Sequence, residues 1–203
     1  MSGRRLVLAR HGRTAWNAEG RGQGHHDVEL DAVGHEQAEA AAPFLAAFGP
    51  VSLWSSDLAR CRQTAAYVAK ETGLDPVFDA RLREYHLGAR TGLTMAEFHS
   101  RYPEEYAALR DGHMAAVAGG ESTAQVARRM HEVLDEVMSG LGAGETAVVV
   151  THGAALKVAV VTMLGWPVEQ AAGLHGMANG GCAVLEQMSD GGRLRLTAYN
   201  LTA

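Results

Sequence analysis

Leu6-Val7-Leu8-Ala9-Arg10-His11-Gly12 is the stretch on which the fold turns. Four consecutive apolar residues leave no polar face, and the run stops on a cation, an imidazole and a glycine. Such a run reads as a strand covered on both sides, the habit of parallel sheets lying under helices. Thr146-Ala147-Val148-Val149-Val150-Thr151-His152-Gly153 repeats the form. Two buried strands that each run out into His-Gly predict a parallel sheet with both histidines at its carboxyl edge. Ligands of open α/β sheets bind just beyond that edge.

Outward from these strands, glycine-rich irregular sequence (Gly20, Gly22, Gly24) leads to Asp31, a cap for an alanine-rich helix that Gly49-Pro50 stops near Phe48. Residues 51–54 predict a second strand, a helix follows from Asp57 or Leu58 to Gly73, and residues 76–78 predict a third short strand. Residues 84–121 are less regular, with helical pieces at 94–101 and 103–110. Glu121-Ser122-Thr123 supplies a capping hydroxyl. Beyond it, the spacing of Val126, Met130, Val133, Leu134, Val137 and Leu141 predicts one long amphipathic helix. A further helix runs from Gly153 to Leu164, ended by Gly165-Trp166-Pro167. Strands at 182–186 and 194–199 flank Ser189-Asp190-Gly191-Gly192 and predict a hairpin. The alternation predicts an α/β fold with a mostly parallel central sheet, one domain over residues 1–203.

The 203 residues carry 18 Lys and Arg against 23 Asp and Glu, a formal net charge of −5. Nucleic-acid binders usually carry a basic excess, so nucleic acid is not the expected partner, while a local basic pocket for a small anion stays open. Hydrophobic content of 47 % and charged content of 20 % exclude disorder or a fibre. The greasiest stretch, 147–166, is broken by His152, Gly153 and Lys157, short of the ~20 apolar residues of a membrane span. The apolar run after Arg4-Arg5 is too short for a signal peptide. Cys61 and Cys182 form no CxxC pair, which fits a reduced compartment and no zinc site. The expectation is a cytoplasmic protein that does not engage a membrane.

The strand ends carry the chemistry. Arg10-His11-Gly12 follows the first, Ser55-Ser56-Asp57 leads into a helix with Arg60 in its first turn, Arg83-Glu84 follows the third, and Thr151-His152-Gly153 follows the long buried one. Sheet topology predicts that Arg10, His11, Arg60, Glu84 and His152 share one crevice. Two guanidinium forks match the bidentate geometry of a phosphate dianion. His11 can attack phosphorus, and His152 can neutralise the equatorial oxygens as charge spreads. Gly12 and Gly153 allow close backbone approach, and the helix after Gly153 offers N–H donors at its positive end. Glu84 can protonate a departing alkoxide and then act as a base on water.

That set is complete for phosphoryl transfer with no metal or other cofactor. The remaining histidines (His25, His26, His35, His86, His99, His113, His131, His175) show no HExxH or HxxxH spacing, and neighbouring His25 and His26 point apart. Neither GxGxxG nor GxxxxGK[ST] is present, and Ser55-Ser56 lacks the GxSxG elbow. Arg90, Arg101 and Arg110 read as solvated, with contact to an anionic substrate tail as the second reading.

Leu8-Ala9-Arg10-His11-Gly12-Arg13-Thr14 with Trp16-Asn17 resembles the signature of the histidine phosphatase (phosphoglycerate mutase-like) superfamily. The resemblance continues in order through Gln23-Gly24-His25-His26-Asp27-Val28-Glu29-Leu30 and Ser55-Ser56-Asp57-Leu58-Ala59-Arg60-Cys61-Arg62-Gln63-Thr64-Ala65. Leu82-Arg83-Glu84 with Gly88 and Gly92-Leu93-Thr94, then Gly119-Gly120-Glu121-Ser122, then Thr151-His152-Gly153 complete it. It implies a three-layer α/β/α sandwich with a small cap insertion at about 84–121. It further implies a phosphohistidine on His11, phosphate held by Arg10, Arg60 and His152, and Glu84 as general acid/base. Asn17, Gln23, Gly24 and Gly153 are the implied substrate contacts, and a homodimer is the assembly it suggests.

Family mutases of the cofactor-dependent type resemble one another in an ERxYG segment at the acid and a longer cap. Here Glu84 is followed by Tyr85-His86-Leu87-Gly88-Ala89-Arg90 and the cap is short, which favours the phosphatase branch. The expected activity is metal-independent hydrolysis of a small phosphorylated metabolite. Glu84-Tyr85-His86-Leu87-Gly88, His175-Gly176-Met177-Ala178-Asn179 and Tyr199-Asn200-Leu201-Thr202-Ala203 look most like glucosyl-3-phosphoglycerate phosphatases. Ala89-Arg90-Thr91 departs from the acidic-aromatic pair common there. The alternatives are a cofactor-dependent phosphoglycerate mutase and a non-catalytic phospho-ligand binding module. Such a module would be expected to lack one of the five site residues.

Overall fold

Strand β1 (Arg5–Arg10) is buried on both faces along its apolar run, as its sequence requires. In this computed structural model, which describes residues 3–110, 117–188 and 192–203, β1 lies inside a six-stranded sheet. Across the sheet the order is β3 (Pro76–Phe78), β2 (Pro50–Ser55), β4 (Thr146–Thr151), β1, β5 (Cys182–Gln187) and β6 (Leu194–Leu201). The first four run parallel; β5 is antiparallel to β1, and β6 to β5. Residues 189–191 of the expected hairpin turn lie outside the described residues.

Side chains alternate across a strand, so consecutive residues of β1 serve different cores. Leu6 and Leu8 join Ala147, Val149, Ala183 and Leu185 against helices α6 (Thr123–Ser139) and α7 (Gly153–Met163). Val7 and Ala9 join Val148, Val150, Cys182 and Val184 against α2 (Ala32–Ala46) and α3 (Ala59–Thr72). The result is the expected three-layer α/β/α sandwich. Asp31 caps α2 by accepting from the Gly34 amide, and Ser122 caps α6 through a reciprocal box with Gln125. Leu141, which the spacing places on the long helix, is buried beyond its end at Ser139.

Two features escape the periodicity. A single turn, α1 (Ala15–Ala18), occupies sequence that reads as irregular, closed by a Thr14–Asn17 capping box. A 3-10 stretch at Val168–Gly173 packs on α7 and covers a helix that is apolar on nearly every side. Within 84–121 lie α4 (Met95–Arg101) and α5 (Pro103–Arg110). The segment is tied to the loop after α1 by the Arg21–Thr94 bridge and by the Gly92 amide on the Gly22 carbonyl (2.8 Å). His113 and the rest of 111–116 lie outside the described residues.

Candidate active site at the carboxyl edge of the sheet

Parallel register pairs Arg10 with Thr151, so the next residue on each strand emerges beside the other. The His11 amide donates to the Thr151 carbonyl at 3.1 Å, and the His11 and His152 rings meet edge to face with centroids 5.2 Å apart. Strand β2 ends at the same level: the Ser56 amide donates to the Val150 carbonyl at 2.9 Å, and the turn that follows places Arg60 in the first turn of α3. Three adjacent strand ends thus deliver four of the predicted residues.

His11 is 3 % exposed, and its Nδ1 lies 2.6 Å from the Gly12 carbonyl oxygen. A carbonyl only accepts, so Nδ1 carries the proton and Nε2 keeps its lone pair. Burial, then the charges of Arg60 and Arg10, hold the ring pKa well below the usual 6.5. The imidazole is therefore neutral at physiological pH, the form a nucleophile needs.

Arg60 is 1 % exposed, and its guanidinium donates to the Gly24 carbonyl (2.8 Å), the His26 carbonyl (2.9 Å) and His152 Nδ1 (3.1 Å). Arg10 donates through Nη1 to the Met177 carbonyl, while its buried Nε has no partner among the described residues. A Cβ added at Gly153 would stand 3.1 Å from Arg10 Nε, so this glycine gives room to the guanidinium. Gly12 differs from expectation. Its added Cβ would stand 2.3 Å from the Gly34 carbonyl oxygen, so the close approach it allows is to α2 and not to a ligand.

Two expected roles need correction. Two donors at the helix N-terminus after Gly153 are already taken: the amides of Ala154 (2.9 Å) and Ala155 (2.8 Å) donate to the Glu84 carboxylate, which also accepts from the Tyr85 amide (3.0 Å). A carboxylate satisfies the positive end of α7, and that contact fixes Glu84 at the mouth. His152 is wholly buried, with Nδ1 accepting from Arg60 and Nε2 donating to Ser56 Oγ at 2.9 Å. Burial and Arg60 push its pKa well below 6.5, so it contributes no positive charge.

Asn17 Oδ1 accepts from the Thr14 amide (3.1 Å) and faces Asn179 Nδ2 at 3.3 Å, while buried Gln23 Oε1 has no partner among the described residues. A cleft of about 160 Å³ is lined by Arg10, His11, Asn17, Gln23, Gly24, Arg60 and Glu84. His152 and Gly153 lie behind that lining. Tyr85, Leu87, Ala154, Arg21, Gly22 and Arg90 complete it; of these, sequence reasoning placed only Arg90 near a substrate, and that as a second reading. Arg90 corrects its solvated reading, whereas Arg101 and Arg110 are exposed. Ser56 and Asn179 were also missed; only the matched strand end and tail segments hinted at them. His25 Nε2 bonds the Glu84 carbonyl at 2.8 Å while His26 stacks on Trp16 at 4.6 Å, so these neighbours do point apart.

A neutral imidazole with one nitrogen unbonded among the described residues, a buried and a half-buried guanidinium group and a fixed carboxylate at one sheet edge define a protein built to handle a phosphoryl group. The chain belongs to the histidine phosphatase superfamily (branch 1), which it matches over residues 6–201. It is 39 % identical over 186 residues to glucosyl-3-phosphoglycerate phosphatase of Mycobacterium tuberculosis, covering 88 % of this chain and 83 % of that one. A metal-independent phosphoserine phosphatase of Arabidopsis thaliana is 38 % identical over 156 residues, 75 % of this chain and 65 % of that one. The structure of mycobacterial glucosyl-3-phosphoglycerate phosphatase with VO3 superposes with a TM-score of 0.91 at 37 % identity, covering 98 % of this chain and 100 % of that one.

Proposed function

We propose that this protein hydrolyses a small phosphomonoester, without a metal, through a phosphohistidine on His11. The observation that carries the reading is the His11 ring, its Nδ1 tied to the Gly12 carbonyl and its Nε2 without a partner among the described residues, in the cleft that Arg10 and Arg60 also line. Arg10 and Arg60 hold the phosphate oxygens. Nε2 attacks phosphorus, the ester bond breaks, and the departing oxygen takes a proton from Glu84. Glu84 then takes a proton from water, whose oxygen attacks phosphorus; inorganic phosphate leaves and His11 returns to its neutral form. His152, neutral and bonded to both Arg60 and Ser56, is a positioning residue for Arg60 in this scheme. Asn17, Gln23 and Gly24 contact the phosphate or leaving group, Gly153 makes room for Arg10, and residues 84–121 form the cap.

The substrate class we assign is a phosphorylated metabolite of the glucosyl-3-phosphoglycerate kind, in line with the names of the relatives and the extent of the match. The reading places the enzyme in the cytoplasm as a homodimer; the two buried, unpaired cysteines Cys61 and Cys182 fit a reduced compartment. The test is incubation with 3-phosphoglycerate and glucosyl-3-phosphoglycerate in excess EDTA. Free phosphate from either supports hydrolysis. Formation of the 2-isomer in its place supports a mutase, and loss of turnover on chelation rejects the metal-free scheme.

A further inference from the structure

Three arginines other than Arg21 line the cleft, and their commitments differ. Arg60 has three of its five donors on two carbonyls and His152, which leaves two for phosphate, and Arg10 has Nη1 on Met177. Arg21 is neutralised by Glu19 (2.7 Å) and Glu97 (2.8 Å). The Arg90 guanidinium has neither a salt bridge nor a hydrogen bond to any described residue, and its Nε is buried without a partner among them. Burial of a cation without a counter-ion is costly, and such a cation in a cleft is a site for an anion.

Charge counting sharpens this. A phosphate dianion balances Arg10 and Arg60. Among the described residues, the carboxylate whose charge acts on Arg90 is that of Glu84. When Glu84 carries the proton for the leaving group, Arg90 is left uncompensated. One positive charge remains, which a single carboxylate balances; a second phosphate dianion would overshoot it.

We infer that Arg90 recognises a carboxylate on the leaving group, so that the enzyme selects phosphorylated acids over neutral phosphorylated alcohols. This rests on the phosphatase reading above and adds the residue that sets its substrate class. The position follows from the fold: Leu87 and Arg90 pack over Gly22, where an added Cβ would stand 2.9 Å from Leu87 Cδ1 and 3.6 Å from Arg90 Nε, directing the guanidinium along the cleft wall.

The experiment compares kcat/KM for 3-phosphoglycerate with that for glycerol 3-phosphate, which has a neutral hydroxymethyl group in place of the carboxylate. The ratio is taken within one preparation, so partial misfolding of a variant cancels. The wild type should favour the acid, and Arg90→Ala and Arg90→Gln should each lower the ratio on the order of 10- to 100-fold, the worth of a charge-assisted hydrogen bond. A wild type without preference, or a variant with an unchanged ratio, overturns the inference. So does loss of all hydrolysis in both variants, which would put Arg90 in the common machinery. A wild type that cleaves p-nitrophenyl phosphate but neither test ester overturns it too, with the phosphatase reading intact. A wild type that releases phosphate from no ester overturns that reading itself.

Discussion

Replacing Glu84 with Gln separates the two things its carboxylate does. In the folded protein Oε1 accepts from the Tyr85 amide (3.0 Å) and the Ala155 amide (2.8 Å), and Oε2 from the Ala154 amide (2.9 Å). Gln can keep its oxygen toward Tyr85 and Ala155, but its NH2 then faces the Ala154 N–H, donor against donor. A hydrogen bond to a charged group contributes about 1.5–3 kcal/mol. Ala154 is exposed, so its amide can turn to water and the loss shrinks to about 1 kcal/mol. That lowers Tm by about 2–4 °C for a chain of this length, leaving the protein folded at assay temperature. The proton is another matter. Removing a general acid costs about 10²–10⁴ in rate when the leaving group is an alkoxide. A nitrophenolate leaves without a proton, so p-nitrophenyl phosphate should lose less than about tenfold. Measuring kcat/KM for glycerol 3-phosphate and p-nitrophenyl phosphate on wild type and Glu84→Gln gives the contrast directly. Equal losses on the two esters would mean that Glu84 positions the site without supplying the proton, and the reasoning would fail.

Other perturbations follow from the same geometry. His11 and His152 both have folded-state pKa values well below 6.5, so the unfolded chain takes up their protons first as pH falls. Unfolding free energy should then drop below about pH 6.5, by up to about 1.4 kcal/mol per pH unit for each histidine, and Tm should fall between about pH 7.5 and pH 5.5. A flat or rising Tm over that range contradicts the buried, neutral assignment. Gly153→Ala brings a methyl 3.1 Å from Arg10 Nε and should lower kcat/KM roughly tenfold with little change in Tm; unchanged kinetics would show that Arg10 has room to spare. Arg60→Lys cannot reach the Gly24 carbonyl, the His26 carbonyl and His152 at once. It should cost about 1–3 kcal/mol of stability for each acceptor left bare in chemical denaturation, and a variant as stable as wild type would count against the network.

The sheet was legible because its strands are continuous apolar runs with unambiguous ends. β1 and β4 lie within one residue of where Leu6–Ala9 and 146–150 place them, and their His-Gly exits set the crevice. Asp31, Ser122 and Gly73 announce helix ends through capping chemistry. What the sequence hid depends on contacts between distant segments. Nothing local marks Glu84 as the cap of α7, seventy positions away, or shows that both nitrogens of His152 are taken. Arg90 looks like any arginine in an irregular stretch until the 3-10 turn Gly88–Arg90 carries it to the cleft wall. The single-turn α1 was invisible because four residues are too few for a helical period.

The account stands on covalent transfer to one ring nitrogen. The direct measurement is an acid-or-alkali quench of enzyme turning over phosphate-labelled 3-phosphoglycerate, followed by recovery of the protein. The wild type should carry label that survives alkali and is lost in acid, as a phosphoramidate is, and His11→Ala should carry none while keeping its fold by circular dichroism. A wild type that hydrolyses the ester without ever holding label, or a His11→Ala protein that still becomes labelled, contradicts it.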